Sequence, residues 1–158
     1  MNQEIKKMWI DALLSGEYQQ GSGRLHSYIE FDDSMLNEKD RNSYCCLGVL
    51  CKLAIDNHVP VQRTYGPVYE TCVDASLETY HYDGESGVLP SSVIIWAGLH
   101  EKNPTIDITL LEKNEEISKR MKEIDMYVDR DEPLEVISEF NDAGFSFQEL
   151  AKIIEIAL

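Results

Sequence analysis

The residue types best suited to chemistry in this chain are its cysteines, its histidines and one glycine-rich turn that ends in an arginine. Cys45, Cys46 and Cys51 crowd into a single apolar segment, Cys72 follows, and His26, His58, His81 and His100 are scattered along the chain. A nucleophilic cysteine needs a base, and a helix N-terminus helps to lower its pKa; Cys45 and Cys46 fall where a first helical turn is expected. That pattern describes a cysteine-dependent hydrolase or transferase using Cys45 or Cys46, with no histidine singled out as its partner. A structural zinc site calls for four ligands, commonly in Cys-x₂₋₄-Cys pairs. The adjacent and five-apart spacings here do not match, so no metal is expected, and no cofactor. The other reading of the cysteines is packing, because a free cysteine among apolar neighbours behaves as a small hydrophobe.

The turn is Gly21-Ser22-Gly23-Arg24. Glycines let loop amides approach an anion, and a guanidinium can complete the contact with paired hydrogen bonds. Tyr18, Gln20, Arg63 and Tyr65 could add stacking and hydrogen bonds, which together suit a small anionic, nucleotide-like ligand. The loop lacks the lysine and hydroxyl spacing of a P-loop. Its alternative reading is a tight turn with a surface arginine. Trp9 and Trp96 occupy core-facing helical positions and read as packing.

Charge narrows the range of partners. Fourteen Lys+Arg against 29 Asp+Glu give a formal net charge of −15 in 158 residues. Such a field opposes direct nucleic-acid binding, which relies on cations that displace phosphate counterions. It suits solubility, or an acidic surface offered to a basic protein. The longest apolar run is well below the roughly 18 residues that span a bilayer, so no membrane association is expected. The first residues, Met1 to Lys7, carry no apolar signal core, which predicts a cytoplasmic protein with reduced thiols.

The elements that would position these groups follow from periodicity. Ile5, Met8, Trp9, Ala12 and Leu13 make one helical stripe, ended near Ser15-Gly16. Glu17 to Arg24 reads as a loop or tight hairpin, and Glu30 to Asp40 as an acidic surface loop. Cys45 to Asn57 is apolar on nearly every side, as expected of a central buried helix, and Gly48 within it predicts a close backbone approach. Val61 to Tyr82 is rich in β-branched and aromatic residues and predicts two or three short strands. After a turn at Asp83–Gly87, Pro90 opens a short helix closed by Gly98. A surface helix is expected from Leu110 to Val128. A further helix starts at Asp131-Glu132-Pro133 and stops at Asn141–Gly144, and a capping box at Ser146–Glu149 begins the last. The expected architecture is one α+β domain over residues 1–158, with five or six helices around a short antiparallel sheet of two to four strands.

Several segments are similar, in this order, to those of a known group. They are Met8-Trp9 with Ala12-Leu13, Ser15-Gly16-Glu17-Tyr18, Gly23-Arg24-Leu25, and Tyr44-Cys45-Cys46-Leu47-Gly48-Val49-Leu50-Cys51. Leu89-Pro90, Trp96-Ala97-Gly98-Leu99, Asn103-Pro104, Asn141-Asp142-Ala143-Gly144 and Ser146-Phe147 continue the pattern. Together they resemble small proteins encoded by tailed phages and prophages, a group with no assigned activity. The stretch from Glu30 to Asp40 and the helix after Leu110 depart from that pattern. The resemblance implies a phage origin, a place in the host cytoplasm, and an accessory role by binding to host machinery or in anti-defence. It transfers no catalytic residue. Two binding modes fit it: capture of a small anionic nucleotide-like signal near Arg24, or an acidic face that blocks a basic host protein.

Overall fold

The computed structural model describes residues 1–29, 41–67, 77–127 and 133–158. The expected acidic loop, the middle of the expected strand region, Cys72 and the residues Asp131-Glu132 lie outside them. The class is α+β. Among the described residues there are seven helices and one five-stranded mixed sheet. The sheet is therefore larger than expected and not wholly antiparallel.

Helix α1 (Gln3–Leu14) starts where the Asn2 side chain accepts from the amides of Glu4 and Ile5, and it buries Ile5, Trp9 and Leu13. This is the stripe that periodicity predicts. Helix α2 (Cys46–Asp56) buries Cys46 through Cys51 and Ala54. The Trp9 indole donates to the Cys46 carbonyl at 2.9 Å, which ties the two helices together and satisfies a buried donor. Short helix α3 (Ser91–Ala97) ends at Gly98, whose φ of 62° is the left-handed conformation expected there. The last helix, α7 (Phe147–Ala157), opens with the expected box. Ser146 Oγ accepts from Glu149 N, Glu149 Oε2 accepts from Ser146 N, and Phe147, Leu150, Ala151, Ile153 and Ile154 are buried. Helices α1 and α7 pack on each other.

Two expected helices differ from the prediction. The stretch from Leu110 divides into α4 (Ile108–Leu111) and α5 (Glu115–Tyr127). Asn114 marks the break, its side chain accepting from Ile117 N at 3.1 Å at the start of α5, while Asp107 caps the start of α4 by accepting from Thr109 N. Helix α6 (Ile137–Asp142) starts later than Pro133. Val136 pairs with Thr105 instead, and the amides of Ile106 and Ile137 bond Glu135 O and Pro104 O.

The strands are β1 (Gln19–Gln20), β2 (His26–Ile29), β3 (Asn42–Tyr44), β4 (Arg63–Pro67) and β5 (Leu77–Tyr82), in the order β1-β3-β2-β5-β4. Only β1–β3 is parallel. Gly48 packs α2 onto the sheet: a Cβ there would lie 1.6 Å from the Leu25 carbonyl oxygen. Alanine is sterically barred at this position.

Candidate functional site

Cross-strand register builds the site. His26 on β2 lies opposite Tyr44 on β3. Ser27 lies opposite Thr79, which puts Tyr80 of β5 on the His26 face, and Tyr65 of β4 lies opposite Tyr80. Because side chains alternate faces along a strand, Tyr44, His26, Tyr80 and Tyr65 form one row across four strands. The rings touch. His26 stacks on Tyr44 at 4.0 Å between centroids and on Tyr80 at 4.2 Å, with interplanar angles of 22° and 21°. Tyr65 stands 5.0 Å from Tyr80, and Tyr28 meets both edge-on.

His26 is the fixed centre of this row. It is fully buried, with Nδ1 3.0 Å from the Tyr82 hydroxyl and Nε2 2.7 Å from Asn42 Oδ1. Burial pushes its pKa down to about 4, the charges of Arg63 and Lys52 act in the same direction, and the Asn42 bond opposes them. The ring is therefore neutral near pH 7. Its Nε2–H donates to Asn42, and its Nδ1 accepts from the Tyr82 hydroxyl. Every polar atom of the imidazole is used inside the fold, so its role is to hold the tyrosines in register.

A cleft of about 560 Å³ opens over the row, lined by Glu17, Tyr18, Gln19, Tyr28, Asn42, Tyr44, Lys52, Arg63 and Tyr80. Tyr18 closes one side, edge-on to Tyr44 at 5.5 Å. The Arg63 guanidinium lies over the Tyr80 ring, 4.6 Å from its centroid, and forms no ion pair among the described residues. Lys52, one helical turn beyond Gly48 on α2, is held by Asp56 with Nζ 2.6 Å from Oδ2. Burial raises the phenol pKa of Tyr18 and raises that of Tyr44 to about 12, so both stay protonated and present hydroxyls. Stacked faces, phenol hydroxyls and a guanidinium with no ion pair among the described residues suit a flat, aromatic anion of small size.

The residues chosen from sequence separate into two places. Tyr18 and Arg63 line the cleft, and Tyr65 ends the aromatic row beside it, 43% exposed. Gln20, Gly21, Gly23 and Arg24 are not among its lining residues. The glycine turn does cradle an anion, but that anion is the chain's own Asp142, whose Oδ1 accepts from Gly23 N at 2.9 Å. Gly21 N is bonded to Tyr44 O, and Gly21 O accepts from Asn141 Nδ2. Gln20 spans to the last helix, donating to Phe145 O at 2.7 Å and accepting from Phe147 N at 2.9 Å. Arg24 reaches Ser86 Oγ at 3.5 Å.

Asn141 joins this network to the cysteine segment. Its Oδ1 accepts from Cys46 N at 3.1 Å, at the start of α2, where Cys45 offers no side-chain cap of its own. The glycine turn, the paired cysteines and the Asn141-Asp142 pair thus form one structural joint. The thiols fit that role. Cys45, Cys46 and Cys51 are free and buried; burial pushes Cys45 up to about 11 and the other two well above the usual thiol range, although helix-start amides pull Cys45 and Cys46 the other way. A nucleophilic thiolate requires the reverse shift. Among the described residues no group of His, Cys, Asp or Glu is arranged to hold a metal ion, and no helix is long and apolar enough to cross a membrane.

The cleft residues that sequence reasoning missed are Glu17, Gln19, Tyr28, Asn42, Tyr44, Lys52 and Tyr80, and His26 stood out only as one of four histidines with no assigned role. The available signal was the i, i+2 spacing of rings in His26-Ser27-Tyr28 and Tyr80-His81-Tyr82, since residues two apart on a strand share one face. No curated protein and no solved structure matches the chain. A family model described as a domain of unknown function, DUF8296, matches residues 1–158. With the match covering the full sequence, the chain belongs to the DUF8296 family.

Proposed function

We propose that this protein binds a small anionic, nucleotide-like ligand in the tyrosine cleft, with its aromatic base among the cleft tyrosines and its anionic group on Arg63. The observation that carries the reading is the pairing of an exposed guanidinium, without an ion pair among the described residues, with a preformed stack of rings in one cleft. Base–aromatic stacking contributes about 1–3 kcal/mol per base, and a charge-assisted hydrogen bond about 1.5–3 kcal/mol. Those terms are enough to give useful affinity without any covalent step. In the phage setting implied by the sequence resemblance, such binding would withdraw a small signal from the host cytoplasm. Blocking of a basic host protein draws support only from the charge of −15. No described feature favours a thiol enzyme at Cys45 or Cys46.

Isothermal titration calorimetry with purine and pyrimidine nucleotides tests this reading. At least one should bind, and Arg63→Ala should weaken it about ten- to hundredfold without changing the melting temperature, because Arg63 is exposed. Arg24→Ala should leave the affinity unchanged. Absence of binding across the panel, or equal affinity in the Arg63 variant, would refute the proposal.

A further inference from the structure

The charges around the cleft limit what kind of anion it can hold. Among the described residues four ionised groups stand at or beside it: Arg63 and Lys52, Glu17 on the wall, and Asp56 bonded to Lys52. They cancel. Tyr18 and Tyr44 keep their protons and His26 is neutral, so the rings supply hydrogen bonds and stacking without charge. Of the two cations, Lys52 is already neutralised at contact distance, whereas Arg63 meets only the face of Tyr80 among the described residues. The guanidinium fork can take one phosphodiester or carboxylate through paired donors.

The usual means of holding further phosphates are committed elsewhere. The amides of Gly21 and Gly23 bond Tyr44 O and Asp142 Oδ1, and the first amide of α2 bonds Asn141 Oδ1. A second or third phosphate would therefore meet Glu17, Asp56 and the field of a chain of net charge −15.

Taking the cleft as a nucleotide-like ligand site, as above, we infer that it selects a ligand bearing a single negative charge next to its aromatic ring. Among nucleotides that class is the cyclic phosphodiester, and nucleoside di- and triphosphates are disfavoured. Selection arises from Arg63, the one available cation at the cleft among the described residues: it stabilises the first charge, and each further charge adds repulsion.

The test is a charge ladder on a constant base. Adenosine, 3′,5′-cyclic AMP, AMP, ADP and ATP are titrated calorimetrically into the full chain without magnesium, with matched guanosine and cytidine series, at low and at physiological ionic strength. Within whichever base series binds, affinity should run cyclic phosphodiester, then monophosphate, diphosphate and triphosphate. At least about tenfold should separate the ends, and the gap should widen at low salt, where repulsion is less screened. Arg63→Gln should reduce the cyclic nucleotide to the affinity of the uncharged nucleoside. Binding of the triphosphate as tightly as the cyclic nucleotide would overturn the charge selection while leaving the nucleotide reading intact. Equal binding of nucleoside and cyclic nucleotide would overturn the role of Arg63. Failure of all three series to bind would remove the nucleotide reading, and this inference with it.

Discussion

Substituting Gly48 with alanine sets two known effects against each other. In an exposed helix interior the change gains about 1 kcal/mol, because alanine loses less backbone freedom on folding. Here the new Cβ would stand 1.6 Å from the Leu25 oxygen, 2.5 Å from its carbonyl carbon and 3.1 Å from its Cα, whereas ordinary contact begins at 3.4 Å. The obstacle is main chain, so no rotamer relieves it. To reach ordinary contact, helix α2 and the Leu25 strand entry must separate by about 1.8 Å (3.4 Å less 1.6 Å), which a tightly packed core resists. Leu25 is held by the hydrogen bond its N–H donates to Ser86 O at 2.6 Å, and α2 by the burial of Cys46, Leu47, Val49, Leu50 and Cys51. Overpacking of a tight core costs about 1–3 kcal/mol even when side chains can yield. With the backbone as obstacle, a net loss of at least about 3 kcal/mol is expected after the helical gain is subtracted. Leu25 precedes His26, so the aromatic row should shift as well and near-ultraviolet tyrosine dichroism should weaken. Urea unfolding followed by far-ultraviolet dichroism measures the loss. Gly87→Ala, where an added Cβ meets nothing within 4 Å, serves as the near-neutral control. A Gly48→Ala protein as stable as the parent would show that the close approach of α2 to Leu25 is wrong.

Three further outcomes are expected. His26 takes up its proton near pH 4 when folded and near 6.5 when unfolded, so between those values the unfolded chain holds more protons and stability falls as pH falls. The loss should reach at most about 3 kcal/mol by pH 4, and a His26→Phe protein with the same pH profile of unfolding would contradict it. Asn141→Ala leaves the Cys46 amide and the Gly21 carbonyl without their partners, at roughly 1–3 kcal/mol for each buried group; an unchanged urea midpoint would show that water replaces the amide at no cost. Leu150→Ala should lower stability by about 2–5 kcal/mol, since this side chain is fully buried on α7, and a shift in melting temperature within error would argue against that packing.

The helices were largely legible because their information is local. The stripe of α1, the uniform apolarity of α2, the proline–glycine bracket of α3 and the capping box of α7 each sit within one segment. The N-terminal half of the sheet was not. Strands β1 and β3 have two and three residues, too few for an alternation to emerge from Gln19-Gln20 or Asn42-Ser43-Tyr44. The candidate site was legible by chemistry but not by position. Tyr18, Arg63 and Tyr65 stand out as residues that stack on and charge-pair with a ligand, yet the row they join depends on the pairing of β2 with β5 across the intervening chain. The glycine turn misled for the same reason. Its anion is an aspartate 119 residues away, which no local pattern announces.

The pairing of α1 with α7 bears on how the chain reaches its fold. Lys6 Nζ donates to the Glu155 carbonyl, a contact 149 residues apart in sequence, and the two helices bury Trp9 and Ile154 in the same core. Closing so long a loop costs entropy before any apolar contact offsets it. Sequence-distant contacts of this kind slow the search for the native state relative to a bundle of neighbouring helices. Refolding should therefore be slow for a protein with this much helix, and α1 should remain exposed until the sheet and α7 are both in place. During that interval the Ile5–Trp9–Leu13 stripe is open to self-association, and the net charge of −15 keeps such chains apart through mutual repulsion.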